Sequence, residues 1–290
     1  MASKPTLAII GCGNMGSAIL SGILDATRDD PTDSPFGRII ACTKTEQSAA
    51  RLRGQYSKDS SRVEFRAGDN HRATVREAEY VMLGCKPYLV ESVIAADGMA
   101  DALAEKFIIS VIAGKTPSVL AGYIGDYASS ARKTPAVARA IPNVAASVRE
   151  SMTVVELPPE CTPANRAGVE WMFAQLGQVK VLAPELFDLG SMLVAALAPL
   201  SVAVDGILDG CVAEGMRRSE ASEMTAQCLL GLAQLLKSGV HPAVLRESIS
   251  SPRGCTIQSL LTVEKAGVRS AFAEAIINGT RHLHDLQKKQ

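Results

Sequence analysis

The residues Gly11-Cys12-Gly13-Asn14-Met15-Gly16 have the types and spacing to hold a pyrophosphate. They follow a short apolar run, Leu7 to Ile10, and open a segment of helical periodicity, Ser17 to Ala26. Glycine at 11 allows a tight turn. Glycine at 13 lets a phosphate approach the backbone, and glycine at 16 lets strand and helix pack closely. The free N–H groups and positive partial charge of the helix start then face the anion. The expected ligand is a dinucleotide, bound through Gly11, Gly13, Asn14, Met15 and Gly16.

The next strand, ending Ile39-Ile40-Ala41-Cys42, runs into Thr43-Lys44-Thr45. An NAD-preferring site places Asp or Glu at this strand's end for the ribose hydroxyls. Here the first acid is Glu46, further into the turn. Two hydroxyls and a lysine suit a 2′-phosphate, so NADPH is expected in preference to NADH. A second anion site is legible near the other end. In Ser250-Ser251-Pro252-Arg253-Gly254-Cys255-Thr256-Ile257, a Pro-Arg-Gly turn leads into a helix starting at Thr256. Such a turn leaves backbone N–H groups unpaired and suits a carboxylate. Thr256 could equally be an ordinary helix-capping residue.

These residues need a scaffold that presents strand ends and helix starts together. Leu7 to Ile10, Arg38 to Cys42, Val63 to Arg66, Tyr80 to Leu83, Phe107 to Ile112, Val137 to Ile141, Met152 to Glu156 and Val179 to Leu182 read as strands. They are short, β-branched and bounded by glycine or polar residues. Glu46 to Arg53 and Ala164 to Leu176 are helical in period. The alternation predicts an α/β fold, a Rossmann-like doubly wound, mostly parallel sheet over residues 1–183. After Pro184 the strand signal stops. Residues 184–290 read as an all-α domain with helices over Glu185 to Val212, Glu220 to Lys237, Pro242 to Ser250, Thr256 to Ala266 and Arg269 to Gln287. Leu229, Leu230, Leu232, Ala233, Leu235 and Leu236 make one helix apolar nearly all round, which requires burial on all sides. In so small a domain the partner surface is expected from a second subunit. The expected state is a homodimer or a larger homo-oligomer.

Composition narrows the partners. Lys plus Arg is 30 and Asp plus Glu is 30 in 290 residues. No basic excess is left for nucleic acid or an anionic membrane surface. Hydrophobic residues are 47% and charged ones 21%, which excludes disorder as the main state. Aromatics are 4%, so the core is aliphatic. The longest apolar run, Met192 to Val204, is shorter than the ~20 residues of a membrane span. The seven cysteines are scattered without a C-x-x-C pair. That fits reduced thiols in a cytoplasmic protein, with neither disulfides nor a metal site. Met1 to Thr6 is too short and polar to be a signal peptide.

Several reductase families share G-x-G-x-M-G. The β-hydroxyacid dehydrogenases need a helical lysine followed four residues later by Asn or Asp. After Pro184, Lys237 and Lys265 are followed at that spacing by His241 and Arg269, and Lys288 and Lys289 are terminal. The other motifs point elsewhere. Cys85-Lys86-Pro87 follows the fourth strand, Ser110-Val111-Ile112-Ala113-Gly114 ends the fifth, and Arg139-Ala140-Ile141-Pro142-Asn143 ends the sixth. With His241-Pro242 and the Ser250 to Ile257 loop, this order resembles pyrroline-5-carboxylate reductase over essentially the whole chain. The resemblance implies NAD(P)H-dependent reduction of a small cyclic imine carboxylate, 1-pyrroline-5-carboxylate, to proline. It implies that Asn70 lies near the adenosine end. Cys85, Lys86, Pro87 and Ala113 would line the cofactor, and Asn143 would lie near the nicotinamide. Gly254, Cys255 and Thr256 would hold the substrate carboxylate. Thr256 would also donate to the imine nitrogen, as positioner and relay from water, because a hydroxyl is too weak an acid to be the proton source.

Three departures from the family pattern stand out. Most members carry Ser-Gly-Ser-Gly-Pro-Ala where this chain has Leu193-Val194-Ala195-Ala196-Leu197-Ala198-Pro199. Arg253 replaces a glycine, and Val144-Ala145-Ala146 replaces Thr-Pro-Ala. An ordinary reductase of this family, a reductase of another pyrroline or piperideine carboxylate, and a cofactor-binding protein without turnover are all compatible with these changes.

Overall fold

The computed structural model describes residues 4–129 and 135–288. All eight expected strands form: β1 Thr6–Ile10, β2 Arg38–Thr43, β3 Val63–Ala67, β4 Tyr80–Leu83, β5 Phe107–Ser110, β6 Ala136–Ile141, β7 Ser151–Glu156 and β8 Gly177–Val181. They make one sheet in the order β3-β2-β1-β4-β5-β6-β7-β8. The first six are parallel, β7 joins β6 antiparallel, and β8 joins β7 parallel. β5 ends before Ile112 because the Ser110 hydroxyl accepts the Ile112 N–H at 3.3 Å and turns the chain.

Period two in the strands builds a core on each side of the sheet. Leu7, Ile9, Met82 and Ile109 pack on one face with α1 (Asn14–Ala26), α2 (Glu46–Gln55) and, further along the chain, the helix Pro163–Ala174. Ala8, Ile10, Leu83 and Ile108 pack on the other with α3 (His71–Glu77), α4 (Val90–Ile94), α5 (Met99–Leu103) and α6 (Pro117–Tyr127). Helix Pro163–Ala174 is α7, and α8 is Pro184–Val194.

The chain packs as two units, residues 1–194 with 282–290, and residues 195–281. The sequence places the division at Pro184, where strand signals end. In the structure α8 stays with the sheet, because Phe187 and Val194 join Val154, Ile141 and Leu182 in a small apolar cluster. The single helix expected over Glu185 to Val212 is therefore two, α8 and α9 (Leu197–Ala213), interrupted at Ala195 and Ala196. The rest of the second unit is α10 (Arg218–Lys237), α11 (Pro242–Ser248), α12 (Cys255–Lys265) and most of α13 (Val268–Lys288).

The second unit buries little within one chain. Among the described residues of α9 to α13, only Ala221 is buried. Val202, Ile207, Leu230 and Leu261 are each more than half exposed. An apolar cavity of about 690 Å³ lies among Pro199, Val202, Ile207, Val263, Val268 and Phe272. A soluble monomer rarely leaves this much apolar surface in water. The stretch Pro184–Ala213 as a whole is also long and apolar enough to cross a membrane. Isolated serine, glycine and aspartate residues break the longest apolar run but lower this average little.

Candidate active site

The strand order reverses between β1 and β4, and doubly wound sheets bind ligands beyond the carboxyl ends of the strands at such a point. The turns after these two strands meet there. Gly11 has φ +94°, and a Cβ on it would lie 2.6 Å from the Cys85 nitrogen and 2.8 Å from the Gly84 carbonyl carbon. Gly84 in turn would place a Cβ 3.0 Å from the Gly11 oxygen. Gly84, which directly precedes Cys85-Lys86-Pro87, thus packs against the Gly11 turn, a closeness the sequence does not reveal. A Cβ on Gly16 would come within 2.9 Å of the Gly11 oxygen, so this glycine is required for the strand-to-helix turn.

Gly13 is different. A Cβ there would meet no protein atom within 4 Å, and its backbone is extended. Its φ and ψ suit any residue, so the protein itself does not demand glycine. The open space is what a phosphate approaching the backbone would need. Gly13 starts α1 without a side-chain cap, and the first turn of α1 carries no acid. The Gly13 N–H is held by the Gly11 oxygen and that of Ser17 by the Gly13 oxygen, which leaves Asn14, Met15 and Gly16 with free N–H groups. We expect Gly13→Ala to leave the melting temperature within about 2 °C, because only an exposed capping position changes. It should weaken NADPH binding fivefold or more. Unchanged binding by titration would show that no phosphate lies against this residue.

The remaining expected cofactor residues follow the strand order across the same edge. Asn70 follows β3, Thr43 to Thr45 follow β2, Gly11 to Gly16 follow β1, and Cys85 to Pro87 follow β4. Ala113 follows β5, and Asn143 follows β6. At about 4.8 Å per strand, this edge from β3 to β6 spans roughly 24 Å, which suits an elongated ligand with its phosphates at the centre. At the β2 end, the Thr43 hydroxyl donates to the Thr45 carbonyl at 2.9 Å. The Thr45 hydroxyl oxygen caps α2 by accepting the Ser48 N–H at 3.3 Å. Lys44 is exposed and forms no ion pair among the described residues. Asn70 donates to the Ala67 carbonyl at 3.0 Å, and His71 beside it contacts the Thr43 carbonyl at 3.2 Å. A cavity of about 410 Å³ opens next to them, lined by Gly68, His71, Ser92 and Val93 and bordered by the Arg72–Asp97 ion pair.

Lys86 is exposed, with its ammonium 5.9 Å from the Tyr88 ring centroid, and Pro87 starts a short 3-10 turn. Burial pushes the Cys85 thiol up to about 11, and does the same to Cys12. Both therefore remain thiols near neutrality and act by packing rather than as nucleophiles. Ala113 is exposed beyond the end of β5.

Asn143 is held more closely than the sequence indicates. Its side-chain oxygen accepts the Ala145 N–H at 3.1 Å, and its amide nitrogen lies 3.4 Å from the Val194 carbonyl oxygen. Behind it lies a group the sequence reading missed. Arg139 is 6% exposed, pairs with Glu156 on β7 and with Asp188 on α8, and its guanidinium sits 4.1 Å from the Phe187 ring centroid. Gln287 donates to the other Asp188 oxygen at 2.9 Å, and His284 lies 3.4 Å from it.

In the second unit, Gly254 flanks α12, so the helix starts at Cys255 rather than Thr256. Thr256 is the second helical residue, and its hydroxyl is not used as a cap. The Gly254 N–H bonds Ser251, while Cys255, Thr256 and Ile257 keep free N–H groups. Gly254 is confined by Ser251, whose carbonyl oxygen would lie 3.1 Å from an added Cβ. Arg253 has φ +61°, a left-handed conformation that costs an L residue about 1–2 kcal/mol relative to glycine. The substitution of arginine for the family's glycine thus falls at a position whose backbone favours glycine.

The comparisons with known proteins agree with this architecture. Residues 6–114 match the family model described as NADP oxidoreductase, coenzyme F420-dependent. Residues 185–286 match the model for pyrroline-5-carboxylate reductase dimerisation. A pyrroline-5-carboxylate reductase of Neurospora crassa is 36% identical, with 97% of each chain covered. The chain belongs to the pyrroline-5-carboxylate reductase family. A Lophium arboricola member of the family is also 36% identical, over 96% of this chain and 92% of its own. Two solved structures share the fold, each with a TM-score of 0.80. A pyrroline-5-carboxylate reductase of Coxiella burnetii is 21% identical, with 98% of this chain and 99% of its own covered. The Plasmodium falciparum pyrroline carboxylate reductase with NADP bound is 17% identical, with 99% and 100% covered.

Proposed function

We propose that this chain reduces 1-pyrroline-5-carboxylate to L-proline with NADPH, as a cytoplasmic homo-oligomer joined through its helical unit. The observation that carries the reading is 36% identity to a reductase of this name over 97% of both chains. The ordered strip of turns from Asn70 to Asn143 supplies the cofactor site. Its glycine geometry fits a dinucleotide, and the bound NADP in the Plasmodium falciparum relative accords with the choice of phosphate-bearing cofactor.

The chain's own residues divide the work. The free N–H groups starting α1 hold the pyrophosphate, and Lys44 holds the 2′-phosphate. The N–H groups at Cys255 and Thr256 hold the substrate carboxylate beside Gly254, which keeps the turn tight. The Thr256 hydroxyl donates to the ring nitrogen and relays a proton from water. Bound NADPH supplies the hydride that saturates the C=N bond, while the nitrogen gains or keeps its proton. The apolar faces of α9 to α13 are covered by a second copy, which accounts for the exposed apolar residues there. That cover also assigns the apolar stretch Pro184–Ala213 to an assembly rather than to a bilayer.

Loss of one charge-assisted contact to phosphate is worth about 1.5 kcal/mol. Lys44→Ala should therefore raise the KM for NADPH about tenfold and leave that for NADH within twofold. A tenfold preference of the unaltered protein for NADH would overturn the cofactor assignment. Turnover of pyrroline-5-carboxylate, against that of its piperideine homologue, tests the substrate. Preference for the larger ring would show that the apolar stretch Leu193 to Pro199 has changed the pocket.

A further inference from the structure

We infer that Asn143 is a positioning residue that fixes the point where the chain leaves the sheet unit for the helical unit. The inference rests on the reductase reading above, but its structural part is independent. The chain changes units after Val194, where the helix is interrupted. An interrupted helix leaves its last carbonyls without intrahelical donors. Here the Ala198 N–H bonds the Ala195 carbonyl rather than that of Val194. The Asn143 amide, 3.4 Å away, takes the Val194 carbonyl instead. Val194 is 5% exposed and belongs to the apolar cluster with Phe187 and Val154, so this end of α8 is anchored by packing as well.

The other half of the same side chain shapes the turn after β6. Its oxygen holds the Ala145 N–H, while the Asn143 backbone N–H donates to the Ser151 hydroxyl at 3.1 Å. The side-chain oxygen and one of the two amide hydrogens are therefore engaged within the protein. What the turn offers a ligand is its backbone, the second Asn143 amide hydrogen and Val144, which is 76% exposed. Asn143 thus ties the turn after β6 to the C-terminal end of α8. It acts through these elements rather than by touching the reacting atoms.

Two variants separate this role from a direct cofactor contact. Asn143→Asp and Asn143→Ser both keep an oxygen for the Ala145 N–H, since Asp and Ser support the same local turn. Neither offers an amide donor to Val194. In both, NADPH Kd should stay within about threefold, kcat should fall about tenfold, and the KM of the imine should rise. Amide hydrogen exchange over Ala195 to Leu200 should quicken at least tenfold, whether or not any substrate is turned over. Tenfold weaker NADPH binding in both variants would make Asn143 a cofactor contact and overturn the proposal. Unchanged exchange at Ala195 to Leu200 would overturn it independently of the reaction. If exchange quickens but the unaltered protein does not reduce pyrroline-5-carboxylate, the reductase reading fails and the positional link stands.

Discussion

Thr256→Ala is expected to lower kcat at least tenfold while leaving NADPH affinity within about threefold. The hydroxyl is bonded to no group among the described residues, and the cap of α12 is Gly254. Removing it therefore costs the fold nothing in hydrogen bonds. Alanine at the second helical position is also the better helix former, by a few tenths of a kcal/mol. Under the proposed role, the loss falls on the contact with the ring nitrogen. A hydrogen bond to a group that becomes charged is worth about 1.5–3 kcal/mol, roughly ten- to a hundredfold in rate. Thr256→Ser keeps the hydroxyl and should retain kcat within about fivefold. Steady-state kinetics on both variants, with cofactor titrations alongside, check the assignment. If alanine and serine behave alike, Thr256 has no hydrogen-bonding role in the reaction.

Arg139→Ala should destabilise the sheet unit by about 3–5 kcal/mol, the usual cost of removing one partner from a buried ion pair. Arg139 serves two carboxylates, Glu156 and Asp188, with side chains 10% and 12% exposed. Without the guanidinium, Glu156 loses its charge partner, and Asp188 keeps only Gln287 and His284 at its other oxygen. In a unit of this size the melting temperature should drop by roughly 10 °C. The triple change Arg139→Met, Glu156→Gln, Asp188→Asn removes all three charges and should recover most of the loss, because desolvated ions contribute little net stability once none is orphaned. Calorimetry on the two proteins decides the matter. Equal melting temperatures for Arg139→Ala and the unaltered chain would mean that water replaces the guanidinium without cost.

The sequence shows some of this architecture directly and hides the rest for physical reasons. Strands such as Leu7 to Ile10 and Tyr80 to Leu83 are legible because a strand buried on both faces must be apolar throughout. The turn at Gly11 to Gly16 is legible because each glycine answers a separate requirement. The buried group around Arg139 is not. Its partners lie 17 and 49 residues away, and only the antiparallel register of β6 with β7 sets Arg139 opposite Glu156. The interruption at Ala195 and Ala196, by contrast, has a local cause in Pro199, which offers the Ala195 carbonyl no N–H and crowds it with its ring. Tertiary contacts, the burial of Val194 and the Asn143 amide, hold the end of α8 that results. Nor does sequence tell which hydroxyls are already engaged: Thr43 and Thr45 are, and Thr256 is not.

The fate of the transferred hydrogen tests the central claim most directly. The protein would be given pyrroline-5-carboxylate and NADPH deuterated at C4 of the nicotinamide, and the product examined by mass and by NMR. The account predicts one L-proline for each NADPH oxidised, with deuterium on the ring carbon that had carried the C=N bond. NADPH that binds but yields no proline, or proline without deuterium at that carbon, would contradict it.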